Sequence, residues 1–180
     1  GVASFVYPNA SSGMLEHLEY YENATYSYVI EGESSNTGLW SAFSLDGDGN
    51  KHIAYYNSSS YSMDYAKSIG NLWQTQSVDG GAASSSGMRH MSIVTGPDNL
   101  PHISYVEESL DIVKYAHFDG SSWNITHVED LGDAYNNGDV YDTSIVLNSL
   151  GLPEIAYAFR NYSGTAWDYG VRYATFNGTS

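Results

Sequence analysis

The sequence predicts an all-β fold of the β-propeller class, and three observations support this. A short strand pattern recurs along the chain at a nearly constant interval, which is typical of repeat architectures. The 180 residues include 17 Tyr, 18 Gly and only six Lys and Arg together, a composition that favours strands and tight turns. No stretch keeps apolar residues at helical spacing for more than a turn or two.

The clearest repeat is a pattern that we assign to the second strand of each unit. An apolar residue is followed by Ser or Ala and then by an aromatic residue at positions 3–5, 53–55, 103–105 and 155–157. The aromatic residues are 50, 50 and 52 positions apart: Phe5, Tyr55, Tyr105 and Tyr157. Because strand side chains alternate between faces, the apolar and aromatic residues share one face and the small residue lies on the other. The small residue allows a neighbouring sheet to approach closely, as stacked blades require.

Three further strands recur in the same order, with one longer step of 58 residues from Tyr115 to Tyr173, where the hairpin at residues 160–168 contains extra residues. The predicted first strands contain Phe43, Ile93 and Ile145. The predicted third strands contain Tyr65, Tyr115 and Tyr173, with His17 at the corresponding place of the first unit. The predicted fourth strands open with Trp73 and Trp123, and in the first unit with Tyr26. Residues typical of turns lie between the strands, at 46–50, 70–71, 96–99 and 119–120, so each unit is expected to be a four-stranded antiparallel sheet.

The repeats indicate a single domain, residues 1–180, with units at approximately 1–37, 38–86, 87–137 and 138–180. The chain starts on a second strand and stops before its last fourth strand, so two complete units are expected between two incomplete ones. A β-sandwich is the alternative fold, but it does not require one pattern to recur in every unit. Because open sheet edges promote aggregation, we expect the chain to be part of a longer propeller or to pair with a second copy as a homo-oligomer.

The net charge of −15 excludes several partners. Nucleic acids and anionic membrane surfaces both require basic patches, so neither is an expected partner. No apolar run reaches the length of a membrane span, and the chain contains no cysteine for disulfides or thiolate metal sites. Charged residues are only 15% of the chain, and a lightly charged acidic surface rich in Tyr and Ser is typical of a secreted or cell-surface protein. We expect that location.

Two stretches resemble a known type of repeat. Residues 100–105 and 114–123 are similar to the repeats of secreted microbial β-propellers, which are loosely grouped with the sialidase-like, Asp-box repeats. An Asp box has the form Ser-x-Asp-x-Gly-x-x-Trp, and the chain departs from it because Asp119 and Gly120 are followed by two serines and Trp123. The resemblance covers essentially the whole chain and implies the propeller fold. It implies little about activity, because propellers include enzymes, lectins and scaffolds.

Two histidines, His52 and His102, occupy equivalent positions at the start of the second strand. Near a propeller channel they are candidate ligands for a metal or an acidic sugar. The alternative is a repeated hydrogen bond that caps a turn. Val2 and Glu154 stand at the equivalent positions of the other units, which argues against a symmetric ring of ligands.

The predicted hairpin at residues 160–168 contains two further candidates for ligand binding, Tyr162 and Trp167. Exposed Tyr and Trp side chains bind sugars by stacking on their apolar faces, or they anchor protein partners. We therefore expect these two residues at the surface. The alternative for the chain's many aromatic residues is half-burial between blades.

The loop at residues 46–50 is a candidate for calcium binding. Asp46, Asp48 and Asn50 provide the alternating oxygen ligands of a calcium loop. Such a loop normally ends in a bidentate carboxylate, whereas the residue eleven positions after Asp46 is Asn57. A tight Gly-rich hairpin explains the loop more simply, so no metal or cofactor is predicted.

No catalytic residue is predicted either. Glycoside hydrolysis needs two carboxylates at a defined separation, but the adjacent acidic residues of this chain lie in predicted loops, where they are typical of solvated surface. Sialidase-type chemistry would also need an arginine cluster, and Arg89, Arg160 and Arg172 lie in three different contexts. The expected function is a non-catalytic extracellular module that binds a glycan or a protein through its loops. The alternatives are a fragment of a sialidase-like glycoside hydrolase and a purely architectural repeat array of a surface protein.

Overall fold

A computed structural model shows an all-β chain, as the sequence predicts. It describes residues 3–9, 11–22, 24–31, 37–70, 72–80, 87–131 and 138–177. Within these residues, fourteen strands form four antiparallel sheets. Sheets 1 and 4 have three strands each and sheets 2 and 3 have four, which confirms two complete units between two incomplete ones. No helix in the described residues is long and apolar enough to cross a membrane.

The strands follow one another in chain order. Sheet 1 consists of β1 (Ala3–Pro8), β2 (Leu15–Tyr21) and β3 (Ala24–Glu31). Sheet 2 consists of β4 (Thr37–Leu45), β5 (Lys51–Asn57), β6 (Ser62–Ile69) and β7 (Leu72–Asp79). Sheet 3 consists of β8 (Met88–Thr95), β9 (Pro101–Glu107), β10 (Ile112–Phe118) and β11 (Trp123–Asp130). Sheet 4 consists of β12 (Gly138–Leu147), β13 (Pro153–Tyr162) and β14 (Trp167–Thr175).

In every sheet, each strand pairs with its neighbours in sequence, because the turns between them are too short for a parallel crossover. The predicted limits of the units fall at or beside residues 32–36, 81–86 and 132–137, which lie outside the described residues. These limits and the single-domain assignment therefore stay predictions.

Three apolar cores lie between successive sheets. The core between sheets 1 and 2 includes Leu15, Ile53 and Tyr55. The core between sheets 2 and 3 includes Ala54, Ile103 and Tyr105. The core between sheets 3 and 4 includes Val113, Ile155 and Tyr157. In each core the apolar and aromatic residues of a second strand face the preceding sheet, which is the alternation that the repeat predicts.

The first strands β4, β8 and β12 lie next to one another along the stack, as the inner strands of a propeller do. Side-chain hydroxyls link them. Thr95 Oγ1 donates a hydrogen bond to the carbonyl of Leu45 (2.6 Å), and Thr143 Oγ1 donates one to the carbonyl of His90 (2.6 Å). These bonds connect the backbone of one sheet to the side chains of the next, so the inner strands are fixed relative to each other.

A bulge of the inner strand and a left-handed residue in the turn that follows it recur in each of sheets 2, 3 and 4. The sequence repeat alone does not predict either of these backbone features. The pairing of each inner strand with its neighbour has an irregular register, between Thr37 and Ser41, between Arg89 and Ser92, and between Val140 and Asp142. Such bulges bend a strand and increase its twist. Each turn that follows an inner strand contains one left-handed residue, at Gly49 (φ 80°), Asn99 (φ 62°) and Gly151 (φ 76°). Gly and Asn adopt this conformation at the least cost.

A buried polar cluster joins sheets 2 and 3. Asp79 accepts a hydrogen bond from the Tyr105 hydroxyl (2.7 Å) and forms an ion pair with Lys114 (2.9 Å). The side chain of Lys114 is only 9% exposed and also pairs with Glu107. Because an unpaired buried charge is costly, separating these partners would destabilise the contact between sheets 2 and 3.

The same arrangement joins sheets 3 and 4. Glu129, the last residue but one of β11, accepts a hydrogen bond from the Tyr157 hydroxyl and pairs with Arg172. In both clusters an acidic residue at the end of a fourth strand meets a tyrosine of the next second strand and a basic residue of the next third strand.

Candidate binding cleft

A cleft of about 340 Å³ lies between sheets 2 and 3. It is lined by Tyr65, Lys67, Gln74, Thr75, Gln76, Asn99, Leu100, Pro101 and Phe118. We call it the 2–3 cleft. Its volume lies in the range of small-ligand pockets, about 300–1,000 Å³.

Sheet 2 provides a polar wall of the 2–3 cleft. Tyr65 and Lys67 lie on β6, and their direct partners on β7 are Gln76 and Gln74. Residues that pair across antiparallel strands point to the same face, so the four side chains form one surface. Both glutamines are exposed, and their amides offer hydrogen-bond donors and acceptors to the cleft.

Sheet 3 provides an apolar wall opposite the glutamines. Leu100 lies in the turn before β9, Pro101 is the first residue of β9, and Phe118 is the last residue of β10. The ring of Phe118 packs against Trp123, with 5.3 Å between the ring centroids, which holds it in place. An apolar wall that faces amide groups suits a ligand that combines an apolar face with hydroxyl groups.

A buried hydrogen-bond chain beneath the cleft orients Tyr65. His52 Nε2 lies 3.0 Å from Asp46 Oδ2, and His52 Nδ1 lies 2.7 Å from the Tyr65 hydroxyl. His52 is fully buried, and this burial lowers the pKa of its ring, so the ring is neutral at pH 7. Nε2 then donates to Asp46 and Nδ1 accepts from Tyr65. Burial also raises the pKa of Tyr65, so its hydroxyl keeps the proton that it donates.

His102 occupies the equivalent position in sheet 3. Its Nδ1 lies 2.6 Å from the Tyr115 hydroxyl, and its ring stacks on His117 with 4.3 Å between centroids. Burial lowers the pKa of His102 to about 4, and the neighbouring His117 acts in the same direction. In sheet 4, Glu154 and Tyr173 form the corresponding hydrogen bond. The two predicted histidines are thus bonded to third-strand tyrosines inside their sheets, and ligand binding by them stays a prediction.

Tyr162 and Trp167 lie on sheet 4 and do not line the 2–3 cleft. They are 37% and 44% exposed, and their ring centroids are 5.1 Å apart. The guanidinium of Arg160 lies 4.4 Å from the ring centroid of Trp167 and also pairs with Asp139. The structure therefore places these two aromatic residues at the surface, apart from the histidines, and their role in ligand binding stays a prediction.

The carboxylate of Asp46, the first calcium candidate, is engaged by its own turn. It accepts hydrogen bonds from the backbone amides of Asp48 (3.0 Å) and Asn50 (2.8 Å) and from the Asn50 side chain (2.9 Å). Burial alone would raise the pKa of Asp46, but these bonds and the one from His52 hold it well below its usual range. The side chain of Asn99 donates to Asp48 Oδ2 (2.7 Å), which ties this turn to sheet 3. In the part of the chain that the structure describes, no group of three or more His, Asp or Glu is placed to hold a metal ion.

Each of the three arginines forms an ion pair with a different carboxylate. Arg89 pairs with Glu108, Arg160 with Asp139, and Arg172 with Glu129. Their charges are therefore compensated within the chain.

Ring contacts occur at the equivalent places between the other sheets. Between sheets 1 and 2 the cavity is about 20 Å³, room for one water molecule. Here His17 takes the position of Tyr65, and its ring lies 5.5 Å from that of Trp73. Between sheets 3 and 4 the ring of Phe176 packs on Tyr115, with centroids 4.9 Å apart. The 2–3 cleft, with its volume of about 340 Å³ and its mixed polar and apolar lining, is the candidate site.

Sequence reasoning did not identify the residues of the 2–3 cleft. Gln74 and Gln76 look like ordinary exposed positions of a fourth strand, and Phe118 looks like the end of a third strand. One signal was present: a single residue separates the two glutamines, so strand geometry places both amides on one face. The identity of the opposite wall depends on contacts between sheets, which no local pattern specifies.

No protein-family model and no curated protein matches the sequence. Solved structures share its fold. One is the intramolecular trans-sialidase of Ruminococcus gnavus, solved with oseltamivir carboxylate. Its alignment covers 98% of this chain and 40% of the trans-sialidase chain, with 12% sequence identity and a TM-score of 0.55. A variant of the Aleuria aurantia lectin, in complex with Fucα1-6GlcNAc, matches 99% of this chain and 63% of its own length, with 13% identity and a TM-score of 0.53.

A third structure, the α-L-arabinanase of Penicillium chrysogenum with arabinobiose, matches 78% of this chain and 50% of its own length, with 13% identity and a TM-score of 0.51. The chain thus spans less than two thirds of each of these three proteins. At such identities the likeness concerns the fold. This likeness confirms the β-propeller class that the repeat predicts. The three similar structures are a lectin and two glycosidases.

Proposed function

We propose that the chain is a non-catalytic, extracellular carbohydrate-binding module and that the 2–3 cleft is its binding site. The observation that supports this most directly is the pairing of two exposed amides, on Gln74 and Gln76, with an apolar wall that includes Phe118. A pyranose ring has the matching chemistry, because its C–H groups pack on aromatic or apolar surface while its hydroxyls bond to amides. The lectin and the glycosidases that share the fold also bind or act on carbohydrates.

The charge of the cleft favours a neutral sugar. Lys67 is the one basic residue of the cleft lining, and its ammonium lies 3.5 Å from Asp46 Oδ2, so its charge is largely balanced. The whole chain has a net charge of −15, which disfavours the approach of an anionic ligand. Sialic acids and uronic acids are therefore expected to bind more weakly than neutral hexoses.

The absence of catalysis is part of the same proposal. A sialidase-like mechanism would need arginines free to hold a substrate carboxylate, and the three arginines of this chain are paired with Glu108, Asp139 and Glu129. Fluorogenic glycosides should accordingly be stable in the presence of the protein. Turnover that disappears on replacement of a carboxylate would instead favour a glycoside hydrolase.

Binding should depend on the two glutamines. We expect a glycan array to identify neutral glycan ligands, and Gln74→Ala and Gln76→Ala each to weaken the affinity for them by roughly tenfold or more, because each removes hydrogen bonds to the sugar. Phe118→Ala should weaken it similarly by removing the stacking surface. Isothermal titration calorimetry with the best ligand of the array measures these changes.

The matched control is Thr126→Ala. Thr126 lies on β11 at the position of sheet 3 that corresponds to Gln76 in sheet 2, and it is exposed. Its replacement should leave the affinity unchanged. A folded protein that binds no glycan on the array, or an equal loss of affinity for the control and the cleft variants, would contradict the proposed site.

A further inference from the structure

The turn at residues 46–50, between β4 and β5, is attached to both walls of the 2–3 cleft. On the side of sheet 2, the buried carboxylate of Asp46 lies 3.0 Å from His52 Nε2, and His52 Nδ1 lies 2.7 Å from the hydroxyl of Tyr65. The ammonium of Lys67 lies 3.5 Å from the same oxygen of Asp46. One carboxylate of this turn therefore holds two residues of the polar wall, Tyr65 and Lys67.

On the side of sheet 3, the turn is attached to Asn99, which lines the 2–3 cleft. Asn99 Oδ1 accepts a hydrogen bond from the backbone amide of Gly47 (2.9 Å), and Asn99 Nδ2 donates one to Asp48 Oδ2 (2.7 Å). These two bonds join the turn of sheet 2 to the turn of sheet 3 beside the cleft. We call them the Asn99 brace.

The backbone at Asn99 indicates that its side chain has a role beyond the turn. Asn99 has a φ of 62°, a left-handed conformation that Gly adopts at the least cost. Gly49 and Gly151 occupy the same place in the turns of sheets 2 and 4. A glycine has no side chain with which to form a brace. Of these three turn positions, the one with an asparagine is the one that lines the 2–3 cleft.

We propose that the turn at residues 46–50 and the Asn99 brace position the two walls of the 2–3 cleft for a neutral sugar. This inference deepens the proposed function and rests on it. A cleft that must be ordered on binding has a lower affinity, because the cost of ordering is subtracted from the binding free energy. Since one turn is bonded to residues of both walls, their separation is fixed before the ligand arrives.

Exchanging the partners of the Asn99 brace tests this role. Asn99→Asp places a second carboxylate against Asp48, so the two turns repel each other. Combining it with Asp48→Asn restores the brace, because the new amide at position 48 donates to the new carboxylate at position 99. Asn99→Gly removes both bonds and suits the left-handed backbone.

Two measurements report on each variant. Hydrogen exchange at the Gly47 amide, followed by NMR, reports on the brace without a ligand, and calorimetric titration with the best neutral glycan of the array reports on binding. Asn99→Asp and Asn99→Gly should each accelerate this exchange and weaken the affinity by about three- to tenfold, which is what one hydrogen bond contributes. The exchanged pair should return both quantities to the wild-type values. A role in folding stability alone would leave the affinity of the folded variants unchanged.

Asn148→Asp is the matched control. Asn148 lies in the corresponding turn of sheet 4, and its Nδ2 donates to Glu154 Oε1 (3.2 Å), so the substitution creates a similar repulsion away from the cleft. Both the affinity for the glycan and the exchange rate of the Gly47 amide should stay at their wild-type values.

The possible outcomes separate this inference from the proposed function. Unchanged affinity in both Asn99 variants, with a wild-type chain that binds the glycan, would overturn the inference and leave the proposed function intact. A loss of affinity that the exchanged pair does not recover would indicate direct contact between Asn99 and the sugar, and would also overturn it. A wild-type chain that binds no glycan on the array would contradict the proposed function and this inference together.

Discussion

Replacing Gly87 with alanine is expected to lower the free energy of unfolding by about 2–5 kcal/mol. Two costs combine at this position, which directly precedes β8. Gly87 has a φ of 72°, a left-handed conformation that disfavours any Cβ. A Cβ there would also lie 2.5 Å from Cε2 and 2.7 Å from the hydroxyl oxygen of Tyr56, whose side chain is 3% exposed in the core between sheets 2 and 3. Urea denaturation of the variant measures the loss.

Gly49→Ala separates the two costs. Gly49 has a similar φ of 80°, but no atom lies within 4 Å of the position that a Cβ would take. Its replacement should therefore cost only the backbone strain, about 1–2 kcal/mol. In the Gly87→Ala background, Tyr56→Leu should recover part of the stability, because the shorter side chain leaves room for the new methyl group. Equal losses at Gly87 and Gly49 would show that the ring of Tyr56 does not restrict Gly87.

The architecture could be predicted because it depends on patterns that lie within a strand or a turn. The alternation around Tyr55, Tyr105 and Tyr157 specifies which face of a second strand meets the preceding sheet, and the structure buries all three. The same pattern at Phe5 predicts the same face, but this face is exposed. Burial of a side chain depends on whether a neighbour covers it, and a strand pattern contains no such information.

The contacts between sheets could not be predicted for a related reason. Asp79, Tyr105 and Lys114 meet in one cluster although 26 and 35 positions separate Asp79 from its two partners. Each of the three looks like an ordinary strand residue in its own segment. The 2–3 cleft has the same origin, since Gln74 and Phe118 come from different sheets. What the sequence did indicate at Asp46 was a tight turn, and the hydrogen bonds of its carboxylate agree with that interpretation.

Asp111 is a carboxyl group at the contact between sheets 3 and 4 whose ionisation should destabilise the fold. It is 2% exposed, and Oδ2 has no hydrogen-bond partner among the described residues. The backbone amide of Val140 is its partner in sheet 4. Burial, and then the negative charge of Asp139, raises the pKa of Asp111 from 3.8 to about 7; Glu108 acts in the same direction and Arg160 against it.

The direction of the pH effect follows from the two pKa values. Between about pH 4 and pH 7 the folded chain holds a proton on Asp111 that the unfolded chain has lost. Stability therefore falls as the pH rises through this interval and is constant, with respect to this group, above and below it. Each pH unit between the folded and unfolded pKa corresponds to about 1.4 kcal/mol, so the full loss is on the order of 4 kcal/mol.

Asp111→Asn should abolish this loss. Asp111 has a φ of 52°, and Asn tolerates the left-handed region as well as Asp does, so the backbone accepts the change. The variant should match the wild type near pH 4 and exceed it at pH 8, by up to about 4 kcal/mol, because only the wild type then buries a charge beside Asp139. Denaturation curves at both pH values measure the difference.

Asp119→Asn provides a comparison of opposite sign. Asp119 is exposed, and hydrogen bonds from the Ser122 backbone and then from Asn124 hold its pKa well below the usual range. Its charge therefore stabilises the folded chain at neutral pH, and this contribution is lost as the pH falls through the folded pKa. The Asn variant should be less stable than the wild type at pH 8. If Asp111→Asn instead changes stability by the same amount at pH 4 and pH 8, the effect is one of packing, and the buried carboxyl group does not titrate in this interval.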